Sequence, residues 1–93
     1  MRRAIRKGVD KSTGHCYTPR VCATGSSDVF INSISATKVG DYYPTHCCSG
    51  SCHDGLATST SNVFVNNKPI HRSGDPISCG DVAFNGSPNV FIN

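Results

Sequence analysis

Residues 87–93 read Ser87-Pro88-Asn89-Val90-Phe91-Ile92-Asn93, and the chain spells nearly the same phrase twice before: Ser26-Ser27-Asp28-Val29-Phe30-Ile31-Asn32 and Thr60-Ser61-Asn62-Val63-Phe64-Val65-Asn66. Within each phrase apolar and polar positions alternate, so Val63 and Val65 point one way while Asn62, Phe64 and Asn66 point the other. That period of two belongs to a β-strand, and Val, Ile and Phe favour the same state. Gly25-Ser26, Thr60-Ser61 and Gly86-Ser87 supply the turns that launch the strands, and Asn32-Ser33 and Asn66-Asn67 the turns that end them.

A second short strand follows two of the phrases. It runs over residues 34–39 in the first copy and 68–73 in the second, and each closes on Gly-Asp, at Gly40-Asp41 and Gly74-Asp75. No window carries an uninterrupted helical spacing of apolar residues. The expectation is an all-β chain of short hairpins. Because a lone hairpin is not stable in water, three similar ones are expected to complete one another about a pseudo-threefold axis.

The chain has 93 residues and a mass of 9.9 kDa, 37% hydrophobic and without Trp. That leaves room for one domain with a thin core, and domains of this size are held by disulfides, a metal or a partner. Six Cys and four His are the available means. The net charge of +3 comes partly from Arg2, Arg3, Arg6 and Lys7, read as a solvated basic segment over residues 1–8 ahead of a single domain at 9–93. Charged residues follow it where a signal peptide needs an apolar run, so synthesis in the cytoplasm without such a leader is expected.

Measured from the Asp of each loop, a ligand-type side chain recurs at a near-constant offset: Asp10 to His15, Asp41 to His46, Asp75 to Cys79. His53 is a fourth candidate, just before the Asp54-Gly55 turn. Three imidazoles and a thiolate suit one tetrahedral zinc ion, and four protein ligands make that ion structural rather than hydrolytic. Asp10, Asp41 and Asp75 are read as turn residues bonding their own backbone, not as catalytic carboxylates. No acidic orienter accompanies the Cys and His of residues 45–55, so no enzyme is expected.

The other cysteines leave alternatives open. Cys16 with Cys22 and Cys48 with Cys52 are plausible loop closures, with Cys47 left over; Cys47, Cys48 and Cys52 could instead form a sulfur-rich zinc knuckle. His71 lies on the second strand and is read as a surface or packing residue.

Together these residues resemble the PAAR-repeat family, whose units run as a Gly-Ser-Pro-x-Val-x-Val-Asn phrase, a Gly-x-Pro-Ala-Ala-Arg strand and a Gly-Asp loop bearing a metal ligand. Residues 87–93 match the phrase. Lys68-Pro69-Ile70-His71-Arg72-Ser73-Gly74-Asp75 keeps the Pro, Arg and Gly-Asp of the strand, with Ile70-His71 in place of Ala-Ala, and residues 35–41 are a looser copy. The resemblance implies a small cone of hairpins with one zinc near the apex, held by His15, His46, His53 and Cys79. It also implies a partner: the blunt end of a trimeric β-helical spike, a phage central spike or a VgrG-type protein, capped by one chain per trimer. The tip would meet a target-cell membrane transiently and assist its piercing, at a virion tail or a type VI secretion spike. Two other readings are a disulfide-stapled secreted binding module and a zinc-dependent nucleic-acid binder. Against the latter, no aromatic residues interleave the basic head.

Overall fold

The computed structural model describes residues 2–14 and 19–92. Among these there is no helix, and eight strands pair into four two-stranded antiparallel sheets. β2 (Phe30–Ile31) pairs with β3 (Ile34–Ser35), and β6 (Phe64–Val65) with β7 (Lys68–Pro69). Their turns place Asn32, Ser33, Asn66 and Asn67 at positive φ, from 51° to 67°. That is the twist a two-residue hairpin connection requires, and Asn tolerates it better than most residues.

The third hairpin is closed by the two ends of the chain. β8 (Phe91–Ile92), from the last phrase, pairs with β1 (Arg2–Arg3), so Arg2 faces Ile92 and Arg3 faces Phe91. The second strand missing after the third phrase is thus supplied by the N-terminus. The basic head is not a solvated run: Ala4 and Ile5 are fully buried, Arg6 pairs with Asp10 at 2.8 Å, and Arg2 reaches Asp75 at 2.7 Å.

With that closure the threefold relation can be followed bond by bond. Single bridges join Arg6 to Ala36, Lys38 to Ile70 and Arg72 to Ala4, each second strand passing to the next until the ring returns to its start. Inside the ring the Thr37 N–H donates to the Ile5 carbonyl (3.0 Å), the His71 N–H to Thr37 (2.9 Å) and the Ile5 N–H to His71 (3.2 Å). All three residues are buried. Around the rim the Lys7, Val39 and Ser73 N–H groups donate to Ser35, Pro69 and Arg3, and the Gly8, Gly40 and Gly74 N–H groups to Cys22, Ala57 and Ala83. The principal extents are 37 × 23 × 23 Å, and two equal short axes are what a threefold along the long axis demands.

Each corner carries the same ion-paired turn. The Asp10 carboxylate accepts from the Arg6 backbone and guanidinium, Asp41 from the Lys38 backbone and ammonium, and Asp75 from the Arg72 backbone and guanidinium, with distances of 2.7–3.0 Å. These carboxylates bond turn backbone, as expected of turn aspartates. Burial alone would raise the Asp75 pKa, but the hydrogen bonds and charge of Arg72 outweigh it and hold the carboxyl below its usual range.

At the start of each phrase a buried Ser does equivalent work. The Ser26 Oγ accepts from the Val29 N–H, Ser61 from Val63 and Ser87 from Val90, at 2.9–3.0 Å. The hairpins are also stitched to one another: Asn66 meets Ser26 and Asp28, and Asn32 meets Ser87 and Asn89. Two small cores lie within the ring. Ala4, Ala36, Val65, Ile70 and Ile92 form one beneath the phrases, and Cys22, Tyr43, Ala57 and Ile77 form the other beyond the corner turns.

His71, read from the sequence as a surface or packing residue, is fully buried in the ring. Its Nδ1 lies 2.7 Å from the Thr58 carbonyl and its Nε2 3.1 Å from the Tyr43 hydroxyl. A carbonyl only accepts, so Nδ1 carries the proton and Nε2 accepts from Tyr43. Burial holds this imidazole below its ordinary pKa.

Candidate metal centre

The longest element is the hairpin of β4 (Tyr42–Cys48) and β5 (Ser51–Leu56), turned by Ser49 and Gly50 at positive φ. Its ladder pairs Tyr43 with Gly55 and then His46 with His53, so Pro44 and Thr45 stand opposite Asp54 alone. This is a β-bulge, and Pro44, which has no N–H to give a ladder, occupies it. The bulge changes the parity of the strand. Residues three apart normally face opposite sides, yet Tyr43 and His46 are both buried. His46 is thereby aimed inward beside His53, with ring centroids 4.7 Å apart.

The third side chain comes from another corner of the ring. Residues 77–80 form a tight turn, with the Gly80 N–H bonded to the Ile77 carbonyl at 2.9 Å. The turn is laid along β5 by two bonds: the Ser78 N–H to the Leu56 carbonyl (3.0 Å) and the Leu56 N–H to the Ser78 Oγ (2.8 Å). Gly55 makes the close approach possible. A Cβ on it would stand 2.7 Å from the Ile77 methyl and 3.1 Å from the Cys79 sulfur.

His46, His53 and Cys79 accordingly present one donor atom each within 4.8 Å of one another, the Cys79 Sγ lying 3.8 Å from the His46 Nε2. A tetrahedral zinc with bonds of about 2.0–2.3 Å sets its ligand atoms roughly 3.3–3.8 Å apart, so the Cys79–His46 separation and the donor chemistry of all three fit such an ion. His15, the remaining candidate, lies outside the described residues. The residues leading to it are placed: the Thr13 N–H bonds the Val82 carbonyl, and the Thr13 hydroxyl and Gly14 N–H bond the Asp81 carboxylate, at 2.7–3.3 Å. That carboxylate is two residues from Cys79.

The matching family is the one described by the PAAR motif, aligned with residues 17–85. The chain belongs to the PAAR family. Among curated relatives, this PAAR chain is 34% identical over 73 residues to double-stranded DNA deaminase toxin A of Burkholderia cenocepacia, covering 75% of the chain and 5% of that toxin. It is 30% identical over 82 residues to the NAD(P)(+) glycohydrolase toxin Tse6 of Pseudomonas aeruginosa, and equally to the (p)ppApp synthetase toxin Tas1 of the same species, covering 81% of the chain and 19% of each toxin. The PAAR chain thus spans less than a fifth of the length of these relatives.

The cysteine expectations need correction. Cys52 is bonded to Cys47, not to Cys48. The register gives the reason: Cys47 stands directly opposite Cys52, whereas Cys48 stands opposite Ser51. Cys48 is itself disulfide-bonded, so the sulfur-rich knuckle has no thiolates to offer. Cys22, expected to close a loop with Cys16, is a free thiol; Cys16 lies outside the described residues. Cys22 takes the place that Ala57 and Ala83 hold at the other corners, a fully buried position for a small apolar side chain. Burial pushes its pKa up to about 11, so it is a packing thiol rather than a nucleophile. Sequence spacing gave no sign of the bulge at Pro44, although a Pro inside a strand is a signal for one.

Proposed function

We propose that this PAAR chain is the zinc-stabilised tip of a contractile injection apparatus, capping a trimeric β-helical spike one chain to a trimer and assisting passage through a membrane. The observation that carries the reading is the closed ring of Arg6 to Ala36, Lys38 to Ile70 and Arg72 to Ala4. One polypeptide that repeats its surface three times about an axis can match a true threefold end, covering three strand edges that would otherwise remain open. Phe30, Phe64 and Phe91 hold the same place in the three phrases and are 56%, 60% and 42% exposed. Positions related by a threefold stand at one height, so these rings form an apolar girdle suited to such a partner.

The relatives support a carrier role. Their names state three different chemistries, deamination, glycohydrolysis and nucleotide synthesis, yet each shares the segment this chain matches. What is common to them is therefore not one of those reactions. The three corner carboxylates are engaged with turn backbone and their Arg or Lys partners, which fits a structural role and no catalysis.

His15, His46, His53 and Cys79 are assigned as ligands of one structural zinc. When bound, the ion gathers the second and third corners, and His15 would add the first. Two measurements test the reading. Mixed with a trimeric β-helical spike fragment, the chain should bind at one per trimer, and three per trimer would contradict it. Metal analysis should give about one zinc per chain. Protein without zinc but with intact disulfides would favour the disulfide-stapled binding module, a reading to which the Cys47–Cys52 bridge lends some support.

A further inference from the structure

We propose that the Cys47–Cys52 disulfide is a redox-operated clamp on the metal centre, and that opening it loosens the hold of His46 and His53 on the ion. The inference rests on the metal-binding reading above. Between the bulge and the turn, β4 and β5 have three opposed pairs: His46 with His53, Cys47 with Cys52, and Cys48 with Ser51. Neighbouring pairs point to opposite faces of a ladder. The imidazoles therefore face inward while the bridge lies directly behind them, and both bridged cysteines are exposed and open to reagents.

The clamp matters because the backbone ties from the ring reach the base of the hairpin, at Tyr42 and Leu56, whereas the His46–His53 pair lies beyond the bulge, where the ladder and the bridges at Cys47 and Cys48 hold the register. The hairpin is a two-stranded sheet on its own, and such a ladder is marginal in water. A slip of one residue would turn His46 away from His53 and Cys79, since register decides which face every side chain takes. A covalent link between directly opposed residues, with Cα atoms 4.1 Å apart, forbids that slip. The two donors are thus presented by a bridge that is not itself a ligand.

A dithiol opens the bridge by exchange. Its thiolate attacks one sulfur, its second thiol displaces the mixed disulfide, and two electrons and two protons end on Cys47 and Cys52 as thiols while the dithiol leaves as a cyclic disulfide. The coupling is reciprocal: if the bridge favours the bound ion, the ion protects the bridge to the same degree.

The test follows zinc leaving the full chain into excess chromogenic chelator. The oxidised protein is compared with protein reduced by a phosphine, which takes its oxygen from water and brings no thiol to compete for zinc. Because Cys48 is also disulfide-bonded, the double variant Cys47→Ser, Cys52→Ser isolates the one bridge. Both the reduced protein and the variant should release zinc about 10–100-fold faster, the range expected for groups that orient ligands. Equal release from variant and oxidised protein, each holding one zinc, overturns the clamp and leaves the metal reading standing. Oxidised wild-type protein that takes up no zinc overturns both. Should the variant fail to fold, reduction of the wild-type bridge with and without zinc decides: slower reduction with zinc is expected, and equal rates sink the proposal.

Discussion

The ring and the β4–β5 hairpin are held together by opposite means. In the ring each contact is made at three corners, so the loss of one leaves two others in place. The hairpin has no second copy. It has instead a bulge at Pro44, a disulfide, and three side chains from two corners that could hold a metal ion. Repetition secures the ring, whereas the hairpin relies on a covalent link between directly opposed residues and on the bonds that lay the Ser78 turn along β5.

The corners themselves offer the sharpest way to break this comparison. Asp75 serves both Arg72 and Arg2, and its removal would leave the buried Arg72 charge without its carboxylate. Asp75→Ala should cost about 3–5 kcal/mol in urea unfolding. Asp41→Ala, whose partner Lys38 is more exposed, should cost about 1–3 kcal/mol. Equal losses would mean that the corners differ in sequence but not in energy.

Gly55→Ala should push the Cys79 turn off β5 at an overpacking cost of about 1–3 kcal/mol. Hydrogen exchange should then quicken across residues 46–53 and stay slow at Ile5, Thr37 and His71. Faster exchange at the ring as well would show that the two regions do not stand apart.

A smaller effect is expected from pH. The folded pKa of His71 lies below its ordinary value of about 6.5, so the unfolded chain takes up the proton first as pH falls. The stability tied to neutral His71 is present above about pH 6.5 and is lost as pH drops toward the folded value. His71→Gln should flatten the stability profile between about pH 7 and 5 relative to wild type. All other titratable groups are common to the two proteins, so the difference isolates His71. Smallest of all, Phe64→Ser should change stability by no more than about 0.5 kcal/mol while weakening capture by a trimeric spike fragment.

Much of the ring was legible because its signals are local. The alternating phrases, the Asn turns and the Gly-Asp corners each fit within a few residues. The N-terminal strand was not, because Arg2 and Arg3 pair with Ile92 and Phe91 at the other end of the chain, and the basic residues Arg2, Arg3, Arg6 and Lys7 read as a solvated charge run. For His71 the packing alternative holds and the surface one does not: strand position says which face a side chain takes, not that three strands converge there. At the candidate centre, counting from each Asp pointed to His46 and Cys79, which the fold does bring together. His53, the fourth candidate, shares the Gly55 face of β5, and it is the bulge in β4 that turns His46 to the same side. Cysteine pairing stayed hidden until the register of β4 and β5 was known, since Cys47 and Cys48 are adjacent and only Cys47 stands opposite Cys52.

The meeting of β1 with β8 sets an order of assembly. The first and second hairpins can form as soon as their own residues have left the ribosome, but the third needs residue 92 before residue 2 has a mate. Ile5 can meet Thr37 and His71, and Ala4 can meet Arg72, before that, but the β1–β8 pairing spans about 90 residues and closing so long a span is slow. The pairing of β1 with β8 is therefore expected to come after both internal hairpins, and a chain halted before residue 91 would carry two finished sides and an open seam.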